Sequence, residues 1–286
     1  MRPPGLNPSS GRHARDREAA QKEATLLLYE DVLSQGRIDS LHRLVSTSYV
    51  PHVPRFAQST APAAGREALL ERLRVSGPLP NEVKRIICDG DLVFTHVKYP
   101  GPVPIAGSDV FQFDDQGRIC AHWNVRQPLR RRTGDTDQWF TAAPRSAAPL
   151  TLDRERLKAR VREMLDELWA KGDSTLIGTY YSESYVQHNP DMPGGFARIK
   201  EVLDTDIRGY VQSTGTRFPI EIHHLGAEGD LVFLHLSLFM AGINRNAGDS
   251  STNVDIFRVD RSGRMTEHWD VLQMQSEMLP SSSTIF

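Results

Sequence analysis

One nine-residue phrase occurs twice in this chain, and the repetition constrains the fold more than any other feature of the sequence. Gly117-Arg118-Ile119-Cys120-Ala121-His122-Trp123-Asn124-Val125 returns as Gly263-Arg264-Met265-Thr266-Glu267-His268-Trp269-Asp270-Val271. Each copy reads as a β-strand, with a glycine turn followed by β-favouring residues. Strand side chains alternate between faces, so Thr266, His268, Asp270 and Leu272 share one face while Met265, Glu267, Trp269 and Val271 share the other. A histidine and an aspartate two apart on one face form a candidate proton-handling pair lining a pocket. The first copy keeps the histidine and has Asn124 in place of the aspartate. Trp123 and Trp269 point away from that pair and are read as packing residues.

The elements around the phrase repeat as well. The offset between the halves is 136 residues from Tyr49 to Tyr185, 139 from Asp91 to Asp230 and 146 from His122 to His268. It only grows, and it grows in loops, as expected of duplicated domains with insertions. In the first half the apolar spacing predicts helices over 16–34, 38–45 and 66–74, with an extended segment at 49–54 between the second and third. Strands are predicted over 82–89, 92–99, 105–113 and 118–126. The second half predicts a helix from about Leu152 to Lys171-Gly172, a short one over 174–180, an extended segment at 185–190 and a helix over 196–210. Its strands are expected at 218–225, 231–239, 253–259 and 264–273. Helices followed by long strands make the fold class α+β.

The domain division expected from this pattern is a disordered tail at 1–15, domain 1 at 16–128, a linker at 129–152, domain 2 at 153–275 and a C-terminal tail at 276–286. The linker carries Arg130-Arg131-Arg132, read as a solvated basic patch, and Trp139-Phe140, two aromatics expected to dock onto one of the domains. At 286 residues the chain is long enough for two cores. A net charge of −2 argues against a nucleic-acid partner. No run of 18 apolar residues is present, so no membrane association is expected. The N-terminus lacks the apolar core of a signal peptide, and two cysteines, Cys88 and Cys120, make no disulfide framework; a cytoplasmic setting is the expectation. Nucleotide-binding and metalloprotease motifs are absent, and adjacent His223-His224 point to opposite faces of a strand. A site without cofactor or metal is the economical reading. The one metal donor set weighed, His188 with His235 and Asp255, ranks below it.

Tyr185-Val186-Gln187-His188-Asn189-Pro190, Glu228-Gly229-Asp230-Leu231-Val232, Val254-Asp255-Ile256-Phe257-Arg258-Val259 and Gly263–Val271 together resemble the SnoaL-like, polyketide cyclase-like branch of the NTF2-like superfamily. The resemblance covers both halves and implies two tandem cone-shaped α+β barrel domains, each with three helices packed on a curved, mostly antiparallel sheet around a deep pocket. It further implies that the extended segment, the strand at Asp255 and one face of the last strand look into that pocket. Asp270, Asp255, His188 and His268 are therefore the candidate catalytic residues, with Asn189, His235, Tyr185 and Leu272 as candidate substrate-binding residues. Their domain 1 equivalents are His52, His96, Asp109, His122 and Asn124. Asn124 cannot exchange a proton near neutral pH, so chemistry is expected in domain 2. The expected function is cofactor-independent acid/base catalysis on a hydrophobic carbonyl-bearing small molecule, as an aldol-type cyclase, isomerase or dehydratase. The alternatives are a non-catalytic module binding a small molecule or a protein, and an epoxide hydrolase using Asp255 and Asp270 on a water. An intrachain pseudo-dimer of the two domains is expected, with homo-oligomerisation left open.

Overall fold

The computed structural model describes residues 8–52, 65–129, 137–144, 152–190, 192–239 and 250–274. They fall into two compact units, centred on two five-stranded sheets. The expected tails at 1–7 and 276–286 and the Arg130-Arg131-Arg132 patch lie outside the described residues.

In the first half, helix α1 (Pro8–Leu27) runs on into a π-helical stretch, Leu28–Ser34, which buries Leu28, Tyr29 and Val32. A 3₁₀ turn at Ile38–Ser40 and one helical turn, α2 (Leu41–Leu44), precede β1 (Val45–His52). Helix α3 (Arg66–Ser76) and four strands follow: β2 (Glu82–Asp89), β3 (Leu92–Tyr99), β4 (Ile105–Phe113) and β5 (Ile119–Pro128). Two expectations are corrected. Residues 8–15, predicted as tail, are helical despite Gly11: Pro8 opens the helix where its missing N–H is not needed, no proline follows it, and the apolar stripe further on nucleates the helix. Val45, predicted as helix, opens the strand; a β-branched residue followed by Ser46-Thr47-Ser48-Tyr49 favours extended backbone.

The second half repeats this order: α4 (Arg154–Met164) with a π-helical Leu165–Ala170, a turn at Ser174–Leu176, α5 (Ile177–Tyr180), β6 (Tyr181–Gln187), α6 (Gly195–Val202), α7 (Arg208–Thr214), β7 (Ile220–Glu228), β8 (Leu231–Phe239), β9 (Ser250–Val259) and β10 (Met265–Met274). Asp153 caps α4, accepting from the Arg156 backbone N–H at 2.9 Å. Leu157, Val161, Met164 and Leu168 then form the stripe that packs with Leu234, Leu236 and Phe257 of the sheet.

The strand orders are β1-β5-β4-β3-β2 and β6-β10-β9-β8-β7, two open sheets of identical topology. The short strand after the second helix pairs parallel with the last strand in both halves, placing Gln187 opposite His268 and Pro51 opposite His122. Helix α6 sits directly on that short strand. Gly195 makes this possible: at φ +55 it begins the helix where a Cβ would lie 2.7 Å from the Tyr185 carbonyl oxygen. Cys88 and Cys120 are free thiols. No helix among the described residues is long and apolar enough to cross a membrane.

Candidate active site

The repeated phrase places its groups by strand parity. In the antiparallel β9–β10 pair Asp270 stands opposite Asp255, His268 opposite Phe257, and Leu272 opposite Asn253. Residues opposite one another share a face, here the one that carries Leu234 and the helix-packed core, since Leu234 is the partner of Asp255 on β8. One ligand-capable atom from each of Asp255, His268 and Asp270 lies within 4.8 Å of the others, and all three residues are less than a tenth exposed. The His268 ring stacks on Phe257 at 4.5 Å and faces the Tyr185 ring at 6.5 Å.

Two side chains from the end of β6 complete the group. Asn189 donates through Nδ2 to Asp270 Oδ1 at 2.5 Å. Gln187 Nε2 lies 2.8 Å from His268 Nδ1, and the Asn189 backbone N–H donates to Gln187 Oε1 at 3.0 Å. His268 Nε2 points toward Asp255 Oδ1 at 3.6 Å, beyond hydrogen-bond length, and has no hydrogen-bond partner among the described residues. The buried Tyr185 hydroxyl likewise has none. Burial first, then the neighbouring Tyr181, Asp270 and Asp255, holds that phenol well above the ordinary tyrosine range, so it stays a neutral donor.

Strand parity also excludes two predicted members. His188 is adjacent in sequence to Gln187 and Asn189 and turns to the opposite face. There its ring stacks on Trp269 at 4.6 Å and its Nε2 lies 2.8 Å from Glu267 Oε2. His235 pairs with Val254, not with Asp255, and occupies that same opposite face, bonded to Thr252 at 3.1 Å and His224 at 3.0 Å. Burial, then His224 and His223, drives the His235 imidazole well below its usual range. The metal donor set of His188, His235 and Asp255 is thereby ruled out: its members straddle the sheet.

The His188 side of the sheet carries its own polar group. Glu267 accepts from the Ala143 backbone N–H at 2.9 Å and from Arg258, and the Trp269 indole N–H donates to the Thr141 carbonyl at 2.8 Å. Burial would raise the Glu267 carboxyl; His188, the Ala143 amide and Arg258 together bring it below the usual range. The segment 137–144 is thus tied to β9 and β10, and its Trp139 and Phe140 are buried, as the docking expectation required. A cavity of about 940 Å³ opens beside this segment, lined by Ala143, Arg258, Glu267 and Arg264 among others; neither Asp255 nor Asp270 borders it.

Domain 1 has the same frame closed upon itself. Asp109, the counterpart of Asp255, accepts from Tyr29 at 2.5 Å, from His122 Nε2 at 2.7 Å, from Asn124, and from Tyr99 at 3.4 Å. Tyr49 completes the ring at 3.0 Å from His122 Nδ1. Four donors on one carboxylate fit its ionised form and leave it no acceptor capacity for a ligand. His52 and His96 take no part: His52 stacks on Trp123 at 4.7 Å, and His96 meets Arg85 at 3.0 Å. Sequence reasoning missed Gln187 in the second half and Tyr29, Tyr49 and Tyr99 in the first. Parity in the extended segment groups Gln187 with Asn189 and apart from His188, but which of the two faces enters the site is set by the pairing with β10; nothing local marks Tyr29, which arrives from a helix 80 residues away.

The sequence matches the model of the SnoaL-like domain twice, over residues 27–122 and 161–268. Among solved structures, an NTF2-like protein of unknown function from Burkholderia xenovorans LB400 is 21% identical over 45% of this chain and 98% of its own, with a TM-score of 0.36. A putative SnoaL-like polyketide cyclase from Jannaschia sp. CCS1 is 14% identical over 44% of this chain and 92% of its own, with a TM-score of 0.33. A steroid delta-isomerase from Pseudomonas aeruginosa is 22% identical over 39% of this chain and 82% of its own, with a TM-score of 0.32. No curated protein matches the chain.

Proposed function

Because this chain belongs to the SnoaL-like domain family, whose model covers both halves, we propose that its second domain is a cofactor-independent acid/base catalyst acting on a hydrophobic, carbonyl-bearing small molecule. One observation carries the reading. Asp255, His268 and Asp270 meet within 4.8 Å on the apolar face of the sheet, and two buried groups beside them, His268 Nε2 and the Tyr185 hydroxyl, have no hydrogen-bond partner among the described residues. Unpaired buried donors cost free energy, and an acceptor oxygen of a bound ligand would satisfy these two.

In the proposed reaction Asp270, steadied by Asn189, takes a proton from a carbon next to the carbonyl. The electron pair moves onto the carbonyl oxygen, and the Tyr185 and His268 donors stabilise the resulting enolate. The proton then returns to carbon or oxygen of the product, giving isomerisation, aldol-type ring closure or loss of water according to the substrate. The chemistry is assigned to domain 2 because the Asp109 network of domain 1 is saturated by its own side chains.

Asp255 also faces Asp270 directly across two strands, which favours epoxide hydrolysis through a water held between carboxylates as a second reading. The test begins with mass spectrometry of whatever co-purifies with the full-length protein, followed by turnover of carbonyl and epoxide substrates of matching skeleton. Asp270→Asn is expected to lower kcat by about 10²–10⁴-fold, the usual worth of a positioned acid/base group. Normally folded Asp270→Asn and Asp255→Asn variants with full turnover would falsify the mechanism. Diol formation from an epoxide would select the second reading, and a bound ligand that is never converted would make the domain a binding module.

A further inference from the structure

We propose that Gln187 is a positioning residue that holds His268 as the neutral, Nε2-protonated tautomer and thereby releases the Tyr185 hydroxyl for a ligand oxygen. The Gln187 amide is not free to choose its orientation. A backbone N–H can only donate, so the Asn189 N–H fixes the carbonyl end of the Gln187 side chain at 3.0 Å. The NH₂ end must then face His268 Nδ1, 2.8 Å away. A donor on that side requires Nδ1 to accept, and a neutral imidazole that accepts at Nδ1 carries its proton on Nε2.

Domain 1 provides the comparison. There Pro51 stands opposite His122, where Gln187 stands opposite His268, and proline has no amide side chain to offer. The Tyr49 hydroxyl occupies the Nδ1 position of His122 instead, at 3.0 Å, and His122 Nε2 closes on Asp109 at 2.7 Å. Both histidines are thus set as Nε2 donors, by different partners. With Gln187 serving His268, Tyr185, the counterpart of Tyr49, is not needed there, and its hydroxyl is left buried and unbonded among the described residues. The His268–Asp255 gap of 3.6 Å leaves the second donor open too. The pair recognises an oxygen that accepts hydrogen bonds, such as a carbonyl or enolate. It does not fit a metal ion, because His268 presents to Asp255 and Asp270 a proton where a metal ligand needs a lone pair.

The groups facing the His268 ring are Asp255, Asp270, Tyr185, Phe257 and Gln187. Burial disfavours a charged imidazole there, while the close approach of the Asp255 carboxylate and then the charges of Asp255 and Asp270 pull the other way and hold the ring above its ordinary range. A second proton, however, must enter at Nδ1, against the Gln187 NH₂. It is admitted only if the amide turns over and gives up its bond from Asn189, whose side chain holds Asp270. The tautomer is a property of the folded chain; only its use against an enolate rests on the function proposed above.

The experiment is ¹⁵N NMR of histidine-labelled full-length protein, with His268 assigned through a His268→Gln variant. The expected spectrum shows Nε2 protonated and Nδ1 bare between about pH 6 and 8. Gln187→Glu, which replaces the donor by an acceptor of equal size, is expected to move the proton to Nδ1 or add one there. Gln187→Leu is expected to release His268 into titration. An imidazolium or an Nδ1–H tautomer in the native protein at neutral pH overturns the proposal, as does an unchanged His268 spectrum in a folded Gln187→Glu variant. Neither measurement uses a substrate. A native chain with the expected tautomer and no turnover therefore leaves this inference standing while the catalytic reading fails.

Discussion

A carboxylate on the fourth strand of each half marks the difference between the two sites at the scale of single residues. Asp109 is 1% exposed and gathers donors from Tyr29, Tyr99, His122 and Asn124, whereas Asp255 stands 3.6 Å from its histidine. The closed network is structural in character: buried polar groups stabilise when every member is satisfied. Asp109→Asn turns one acceptor oxygen into a donor facing other donors, so urea denaturation is expected to show a loss on the order of 1–3 kcal/mol. Unchanged stability would mean that the donors find partners elsewhere. Asn124 belongs to the same logic. Its amide donates to Asp109, which an aspartate at that position would instead repel, so the loss of the acid in domain 1 goes with the closing of its site.

At the scale of elements, the site depends on how closely helix α6 approaches the short strand β6. Gly195 has no Cβ to meet the Tyr185 carbonyl, and its φ of +55 is one that other residues resist. Gly195→Ala is expected to cost about 1–3 kcal/mol, because the atom it would strike is backbone rather than the end of a flexible side chain. Gly209 is the control. It lies within α7, where a Cβ would meet nothing within 4 Å, and Gly209→Ala is expected to be neutral or stabilising by up to about 1 kcal/mol. Equal thermal shifts in the two variants would show that the helix–strand approach is slack. The segment 137–144 has a defined role as well, since it satisfies Glu267 and Trp269 on the face turned away from the candidate site.

For the whole molecule, acid is the weak side. His235 is held below the usual imidazole range in the folded chain, so between its folded value and about 6.5 the unfolded state binds more protons. Stability therefore falls as pH drops below about 6.5. Glu267, depressed by His188, Ala143 and Arg258, adds a second loss at lower pH, as pH falls from the unfolded carboxylate value of about 4.3 through its folded value. Urea midpoints measured from about pH 8 down to about 2.5 are expected to decline in these two stages, and His235→Leu is expected to flatten the upper one. A native midpoint that holds constant down to about pH 5 would contradict the assignment of His235 as a buried neutral group.

Much of this molecule is legible from residue order alone. The repeat, the α+β sequence of elements, the His268–Asp270 face and the exchange of Asp270 for Asn124 follow from local patterns, since strand alternation and helical spacing are properties of neighbouring residues. The exclusion of His188 and His235 did not follow. Which of Gln187, His188 and Asn189 enters the site depends on the parallel pairing of β6 with β10, a contact across some 80 residues that no local period encodes. Tyr29 reaches Asp109, and Gln187 reaches His268, by the same kind of long-range meeting. Sequence thus determined which chemistry was on hand in each half, and tertiary pairing decided which groups were spent on one another and which were left open, because hydrogen-bond satisfaction is settled only where distant strands and helices meet.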